Sequence, residues 1–280
     1  NDLLYDNGGT LWVATGGEGI QRRDGLYANP TFYYPSDGGL PSEFIYDLEE
    51  DPLGVLWAAT AAGVAVYRGA DWRAFPAVSL LPAPVVYALQ ADKQGLWIGT
   101  SGGLAYYHFG DESVRSEPFF AGRAIRHLKR DSLGNLWVAA GEGLWVSSAD
   151  GGWRAARSMG SNAPPAGEAT ALLPDPSIPG GMYVALMDAG IYRWTGAGWA
   201  SVDRRRWPRG DRVDALALDE QSNSLWIGSE IGLSRLDALY LTTYDSHDGL
   251  QNGSIRAIAA EPEGGQWFGG QKGLSFYQDE

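Results

Sequence analysis

Cysteine is absent from this chain of 280 residues, and histidine occurs only three times. Disulfides therefore cannot indicate its compartment, although their absence fits an exported protein without structural thiols. No apolar run reaches the 18 residues that indicate a membrane-spanning helix. Positive charge is also scarce, because 21 Lys and Arg face 34 Asp and Glu for a net charge of −13. This balance disfavours sequence-independent binding to nucleic acid or to an anionic membrane surface.

Common catalytic and metal-binding motifs are missing too. His108, His127 and His247 stand in no close ligand spacing, and there is neither a Gly-x-Ser-x-Gly segment nor a Ser-His-Asp set. We therefore expect no metal, no other cofactor and no catalytic residue of these classes. The sequence starts at Asn1 and shows no signal-peptide pattern, and we interpret it as a fragment or a processed product.

Glycine and tryptophan are abundant, with 39 and 12 residues, and both recur at regular intervals. One aromatic residue marks each of seven similar segments, 40 to 46 residues apart: Trp12, Trp57, Trp97, Trp137, Tyr183, Trp226 and Trp267. This period is typical of four short strands with their turns. The sequence thus predicts an all-β protein with one domain, a single seven-bladed β-propeller. The repeats are expected at about 1–41, 42–82, 83–121, 122–166, 167–210, 211–252 and 253–280.

Each repeat predicts four strands, A to D, with the marker aromatic residue on strand B. Two residues after it stands a small residue, which predicts interdigitation of neighbouring sheets: Ala14, Ala59, Gly99, Ala139, Ala185, Gly228 and Gly269. The B–C turn carries a glycine in every repeat, which predicts a backbone conformation that side chains resist: Gly19, Gly63, Gly103, Gly143, Gly190, Gly232 and Gly273. Strand C of the last repeat ends near Tyr277, so the last blade is expected to lack its outer strand.

The repeat unit, roughly I-x-x-L-x-x-D-x-x-G-x-L-W-I-G-T-x-x-G-L, resembles the two-component regulator propeller repeat. "DKQGLWIGTSGGLAYY" (92–107) is the closest match, and the fifth repeat departs most, with Tyr183 in place of tryptophan. The resemblance implies the exported sensor region of a hybrid histidine kinase or related protein, in the periplasm or outside the cell. It also implies a carbohydrate fragment as ligand and a downstream signalling module in the same native chain.

Function is expected where the repeats differ. The second position of strand A varies among aromatic, cationic, anionic and hydroxyl side chains: Tyr46, Tyr87, Arg126, Thr170, Asp214 and Arg256. Because strand A is innermost, we expect these side chains to surround one channel mouth and to bind a small polar ligand. The residues leading into strand A are expected to form its rim: Glu43, Arg123, Glu168, Asp211 and Arg212. The alternative is a water-filled channel in which Asp214 and the rim acids neutralise Arg126 and Arg256.

Three functions remain open on this evidence. The first is a non-enzymatic sensor that binds a carbohydrate fragment or small anion. The second is a propeller lyase or hydrolase with acid and base residues at the same mouth, since streptogramin lyases resemble this repeat class; no local His and Glu pattern carries over. The third is a protein–protein scaffold, and a homodimer is also left open. The basic segment 203–212 is either a solvated outer strand or a second candidate site for an anionic ligand.

Overall fold

Every sheet of the chain is an antiparallel meander in which strands adjacent in sequence pair with each other. The structure, a computed structural model, describes residues 1–141, 143–147, 151–202, 212–219, 222–237, 240–251, 253–261 and 264–278. Seven sheets follow one another, six with four strands and the last with three. The predicted seven-bladed β-propeller with an incomplete last blade is therefore confirmed.

The strands are numbered in chain order. The first four form blade one: β1 (Leu3–Tyr5), β2 (Leu11–Ala14), β3 (Ile20–Arg23) and β4 (Thr31–Tyr33). Blades two and three contain β5 (Ile45–Glu50), β6 (Leu56–Thr60), β7 (Gly63–Arg68), β8 (Asp71–Ala74), β9 (Val86–Ala91), β10 (Gly95–Thr100), β11 (Gly103–His108) and β12 (Val114–Glu117). Blade four contains β13 (Ile125–Arg130), β14 (Leu136–Ala140), β15 (Gly143–Ser147) and β16 (Trp153–Ala155).

Blades five to seven continue the same pattern. Their strands are β17 (Ala169–Asp175), β18 (Gly181–Leu186), β19 (Gly190–Trp194), β20 (Trp199–Ser201), β21 (Val213–Asp219), β22 (Ser224–Ser229), β23 (Gly232–Leu236), β24 (Leu241–Tyr244), β25 (Ile255–Ala260), β26 (Gln266–Gly270) and β27 (Gly273–Tyr277). Helical structure in the described residues is limited to short 3-10 turns: Pro35–Asp37, Val78–Leu80, Pro118–Phe120, Ala156–Ser158 and Ser246–Asp248. No helix in this described part is long and apolar enough to cross a membrane.

Two compact units make up the chain, and each is described by itself. Unit 1 comprises Asn1–Leu128, and unit 2 comprises Lys129–Glu280. The division falls within β13. Unit 1 thus carries the first three blades and the start of the fourth.

An aspartate at the end of strand A fastens the turn to the tryptophan of strand B. In blade two, Asp51 accepts hydrogen bonds through Oδ1 from the amides of Leu53 and Val55, and through Oδ2 from the Trp57 indole at 3.0 Å. The same indole-to-aspartate bond occurs in blades one and four, at 2.8 and 2.9 Å. One carboxylate therefore fixes the hairpin and also satisfies a buried N–H group, which is costly to leave unpaired.

Blade five lacks the bond from indole to aspartate, in agreement with its divergent sequence. Tyr183 replaces the tryptophan, and its ring lies 5.1 Å from the guanidinium carbon of Arg193. Arg193 donates to the carboxylate of Asp175 at 2.5 Å, and Ser177 donates to the same side chain at 2.7 Å. An arginine on strand C thus replaces the indole as donor to the turn aspartate.

Small residues on strand B allow the next blade to approach, as predicted. A Cβ atom added at Gly99 would lie 2.7 Å from Cγ2 of Ile125, and one at Gly228 would lie 2.8 Å from Cγ2 of Ile255. Both isoleucines open the next strand A and are fully buried. The small position is therefore where successive blades interdigitate.

The B–C turn glycines have positive φ at six of the seven predicted positions: Gly19, Gly63, Gly103, Gly190, Gly232 and Gly273. At Gly19, a Cβ atom would lie 2.1 Å from the Tyr33 carbonyl oxygen, so close approach and conformation both demand glycine. The prediction is wrong for Gly143, whose φ is not in the left-handed range, whereas Gly141 in the same turn has φ of 56°. In blade four the strained conformation has moved two residues towards the start of the turn.

We expect Trp137→Ala to lower the free energy of unfolding by roughly 3–5 kcal/mol, because it empties a fully buried site between blades four and five. Urea unfolding midpoints measure the loss. Arg154→Ala, at an exposed position of β16, is the matched control and should stay within about 0.5 kcal/mol. Equal losses in the two variants would contradict the assigned burial. The sequence also favours Arg205→Ala as a control, because the basic segment 203–212 is read as a surface strand, but Arg205 lies outside the described residues.

The Asp175–Arg193 pair predicts a pH-dependent contribution to stability. Burial raises the pKa of Asp175, but hydrogen bonds from Arg193 and Ser177 outweigh burial and hold it below its ordinary value. Because the folded-state pKa is depressed, the stabilisation is present above the unfolded-state pKa and is lost as pH falls through the folded value. We expect Asp175→Asn to destabilise the protein at pH 7 and to cost progressively less below about pH 4. Urea unfolding midpoints of the wild type and the variant at pH 7 and below about pH 4 test this. Asp71→Asn, at an exposed position, is the control. A loss of stability in Asp175→Asn that is the same at both pH values would contradict the prediction.

Candidate ligand-binding site

The variable position of strand A lies at a β-bulge in five blades. In blade two, Ile45 pairs with Thr60 and Asp47 pairs with Ala59, so Tyr46 is the extra residue between two consecutive partners. The same register shift occurs at the equivalent residue of four other blades: Tyr87, Thr170, Asp214 and Arg256. A bulge re-aims its extra side chain away from the regular alternation of the strand. The sequence signal was the chemical variability at one repeat position, but the bulge itself was not predicted.

Three of the predicted residues come together in unit 1. The rings of Tyr46 and Tyr87 meet at a centroid distance of 5.3 Å with 60° between their planes. The guanidinium carbon of Arg126 lies 4.3 Å from the centroid of the Tyr87 ring, a cation–π contact. Both tyrosines are half-buried and Arg126 is exposed. We call these three residues the Tyr–Arg cluster.

Carboxylates of unit 1 hold the strands that carry this cluster. Asp47 accepts a hydrogen bond from the Leu89 amide at 2.6 Å, linking β5 to β9. Glu49 accepts one from the Ala91 amide at 2.8 Å, between the same two strands. Strand A is the edge of its sheet, so its outward amides lack a ladder partner, and acids of the preceding blade supply one. These acids therefore position the strands of Tyr46 and Tyr87.

Two exposed aromatic residues stand in the loops that lead into the strands of the cluster. Phe44 precedes β5 and is 44% exposed, and Phe119 precedes β13 and is 38% exposed. The Arg123 guanidinium carbon lies 5.0 Å from the Phe119 ring centroid. Glu43 and Arg123, both predicted rim residues, are exposed. Sequence reasoning missed Phe44 and Phe119, although each is an aromatic residue in a variable entry loop.

The turns beside these loops carry little side-chain bulk. The B–C turns of blades two and three present Ala61, Ala62, Ser101 and Gly102. Backbone hydrogen bonds tie them to the entry loops, from the Ala61 amide to the Phe44 carbonyl at 3.1 Å and from the Gly122 amide to the Gly102 carbonyl at 2.8 Å. The larger exposed side chains of these entry loops are therefore Glu43, Phe44, Phe119 and Arg123.

In unit 2, the structure pairs two predicted residues with each other. Arg212 Nε donates to Asp214 Oδ1 at 2.5 Å, and the Asp214 side chain is 9% exposed. The hydrogen bond from Arg212 to Asp214 raises the pKa of Arg212 more than partial burial lowers it, and the negative charges of Glu230 and Glu168 add to the rise. The carboxylate of Asp214 is thus bound by its neighbour two residues away. Neutralisation of Arg126 or Arg256 by Asp214 stays a prediction.

The remaining predicted residues differ in their surroundings. Arg256 is exposed on β25 and makes no hydrogen bond or ion pair with other residues in the described ranges. The Thr170 hydroxyl is buried and finds no hydrogen-bond partner within the described part. Asp211 and most of the basic segment 203–212 lie outside the described residues. Across the residues that the structure describes, no group of three or more His, Asp or Glu is placed to hold a metal ion.

The Tyr–Arg cluster offers two kinds of interaction. Its tyrosines supply faces and edges for stacking against a ring and hydroxyl groups for hydrogen bonds. Arg126 supplies positive charge and several N–H donors in a fixed plane. This combination suits capture of a polar ring-containing molecule.

Known structures resemble this chain in fold. The extracellular domain of BT3049 from B. thetaiotaomicron, described as a hybrid two-component system, is 19% identical with a TM-score of 0.80, covering 100% of this chain and 39% of that one. The extracellular domain of BT4673 from the same organism is 19% identical with a TM-score of 0.79, covering 98% and 37%. Virginiamycin B lyase from Staphylococcus aureus is 13% identical with a TM-score of 0.78, covering 100% and 94%. The chain thus spans less than two fifths of the two extracellular-domain structures.

Sequence comparison gives a narrower result. No curated protein sequence matches the chain. The model of the two-component regulator propeller family matches residues 39–62 and 80–102, which contain the strands of Tyr46 and Tyr87 and part of their B–C turns. The resemblance inferred from the repeat unit is therefore confirmed for these two segments, which match the repeat of the two-component regulator propeller family.

Proposed function

We propose that this propeller is a non-enzymatic ligand-binding sensor region of a larger exported signalling protein. The observation that carries the proposal is the Tyr–Arg cluster. Tyr46 and Tyr87 lie at the bulged positions of blades two and three, and Arg126 of blade four joins them. A carbohydrate fragment or a small anion is the proposed ligand. The periplasm or the extracellular space is the proposed location, supported by neighbours that are extracellular domains.

The variable position of strand A differs from the positions that serve only packing. A position that serves only packing stays apolar, as does the leucine or isoleucine two residues further along strand A. Tyr46 and Tyr87 instead keep part of their surface open beside an exposed guanidinium. Binding sites for small molecules combine such aromatic surfaces with a few directed polar groups.

Signalling requires that binding at this surface change something beyond it. Tyr46 and Tyr87 lie on strands linked by the Asp47–Leu89 hydrogen bond, so a ligand that contacts both favours one arrangement of the two blades. A downstream module in the same native chain is the proposed reader of that change. The greater length of the two-component neighbours supports such a partner.

A lyase or hydrolase is the competing proposal, and the fold similarity to virginiamycin B lyase over 94% of that chain favours it. It requires an acid and a base beside the bound substrate. Two acids on the strand of Tyr46, Asp47 and Glu49, are bound to backbone amides, so the exposed Glu43 of the entry loop is the acid to test for this role. A protein–protein scaffold is the third candidate, for which the exposed Phe44 and Phe119 would be the first contacts to test.

We expect calorimetric screening of sugars and small organic anions to find a ligand that Arg126→Ala and Tyr46→Leu weaken at least about tenfold, while unfolding midpoints stay nearly unchanged for Arg126→Ala. Arg73→Ala, at an exposed position of β8 in the same unit, is the matched control and should bind like the wild type. Arg256→Ala tests whether the site also depends on that residue.

Different outcomes separate the candidates. If a ligand binds and neither Arg126→Ala nor Arg256→Ala changes its affinity, the site lies elsewhere, and the basic segment 203–212 is tested next. Consumption of a bound compound by the purified protein, lost in the same variants, would instead establish an enzyme. Binding to a protein partner that Phe44→Ser abolishes, with no small ligand found, would favour the scaffold.

A further inference from the structure

We infer that one buried water molecule joins blades six and seven, where it accepts a hydrogen bond from the Trp226 indole and donates one to the side-chain carbonyl of Gln266. Both residues belong to unit 2. Each carries a buried polar atom that finds no partner among the described residues. The site is separate from the Tyr–Arg cluster and does not depend on the proposed ligand-binding function.

The indole of Trp226 is a buried donor. The residue is 1% exposed, and its Nε1 atom makes no hydrogen bond within the described ranges. In blades one, two and four, an aspartate six residues before the tryptophan accepts this hydrogen. In blade six, Asp219 stands seven residues before Trp226 and accepts hydrogen bonds from Ser222. The longer turn of blade six therefore leaves the indole hydrogen to another acceptor.

Gln266 supplies a buried acceptor at a position that is apolar in every other repeat. It directly precedes the marker Trp267, and the other six repeats carry leucine or methionine there: Leu11, Leu56, Leu96, Leu136, Met182 and Leu225. Gln266 is 5% exposed, and its Oε1 atom has no hydrogen-bond partner in the part of the chain that the structure describes. Burying such a carbonyl without a hydrogen bond is costly, so the exchange of leucine for glutamine requires a donor.

The two atoms belong to side chains that face each other across one blade boundary. Gln266 on β26 pairs directly with Tyr277 on β27, which places both side chains on the same face of the sheet. Phe268, two residues further along β26, lies on that face too. The Trp226 ring centroid lies 5.3 Å from that of Tyr277 and 5.2 Å from that of Phe268. Trp226 and Gln266 therefore share two aromatic neighbours at the boundary of blades six and seven.

Water is the ligand whose chemistry matches this pair. An indole N–H group only donates and an amide carbonyl only accepts, so the molecule that serves both must accept one hydrogen bond and donate another. A metal cation cannot accept the indole hydrogen, and the guanidinium carbon of Arg235, 5.3 Å from the Trp226 ring centroid, disfavours a second positive charge. A fully ionised anion has no hydrogen to donate to the carbonyl. Buried waters characteristically satisfy polar groups that lack a protein partner.

Nuclear magnetic resonance on the full chain, labelled with nitrogen-15 at the tryptophan indoles, tests the inference. Trp226→Phe assigns the Trp226 indole signal by removing it. We expect that hydrogen to show a nuclear Overhauser effect to a water molecule that tumbles with the protein. The Trp12 indole, which donates to Asp6 at 2.8 Å, is the internal control and should show none.

Gln266→Met removes the acceptor and keeps a side chain of similar length, so it should abolish the contact between the Trp226 indole and water. Gln251→Met makes the same exchange at an exposed position of unit 2 and should preserve the contact.

Urea unfolding of the single and double variants gives a second readout. Trp226→Phe and Gln266→Met each leave one buried polar group unpaired, whereas the double variant leaves neither. We therefore expect the combined loss in the unfolding equilibrium constant to be smaller than the product of the two single losses by about fivefold or more.

Three results would overturn the inference: a wild-type Trp226 indole without contact to bound water, a water contact that persists in Gln266→Met, or single losses that combine without any such difference. None of them bears on the proposed sensor function, because neither residue belongs to the Tyr–Arg cluster.

Discussion

The hydrogen bonds of the aspartate at the end of strand A are the interaction on which blades one, two, four and five most depend. In blades one, two and four, this side chain fixes the turn between strands A and B and accepts the indole hydrogen of the buried tryptophan. The tryptophan packs at the boundary with the next blade, so a turn, a hairpin and a blade interface all depend on one carboxylate. Blade five keeps its aspartate but changes the donor to Arg193. The requirement is therefore that the aspartate carboxylate receive a hydrogen bond at this buried position. Either an indole N–H group or an arginine can donate it.

The same architecture leaves the inner strand of each blade with one unpaired edge. Asp47 and Glu49 satisfy edge amides of the following blade, which ties neighbouring inner strands together. Bulges near the start of these strands, described in five blades, then place one residue of each outside the regular alternation. The regular spacing of the repeat builds each blade, while the adjacent bulged position carries different side chains in different blades. In unit 1 this variation produces the Tyr–Arg cluster, and in unit 2 it produces the buried Asp214 paired with Arg212.

Much of the fold was predictable because residues of the same type recur at equivalent positions in seven repeats, so each turn and packing position is indicated several times. The marker aromatic residues gave the number of blades, and the repeat pattern placed the last predicted strand C at about Tyr277, where β27 ends. The small residues at Gly99 and Gly228 correctly indicated close packing on the next blade. The prediction of a positive φ at Gly143 was wrong because the turn of blade four places this conformation at Gly141, two residues earlier, without a change in the number of turn residues. Tyr46, Tyr87 and Arg126 belong to the larger predicted set of variable residues and do come together, whereas the nearby exposed Phe44 and Phe119 carry no periodic signal by which the sequence could point to them.

The sequence by itself determined the strand order, the blade count and the one position per repeat where chemistry varies. Those properties follow from local hydrogen bonding and from side-chain volume, which act between residues close in the chain or one repeat apart. Only the tertiary structure decided which charges meet. Arg126 lies over Tyr87 of the preceding blade, whereas Arg212 pairs with Asp214 only two residues away, because a long flexible side chain can reach partners in its own blade or the next and the packing decides which of them lies in range. The bulges too belong to the tertiary structure, since register between two strands is set by their joint packing and not by either sequence alone.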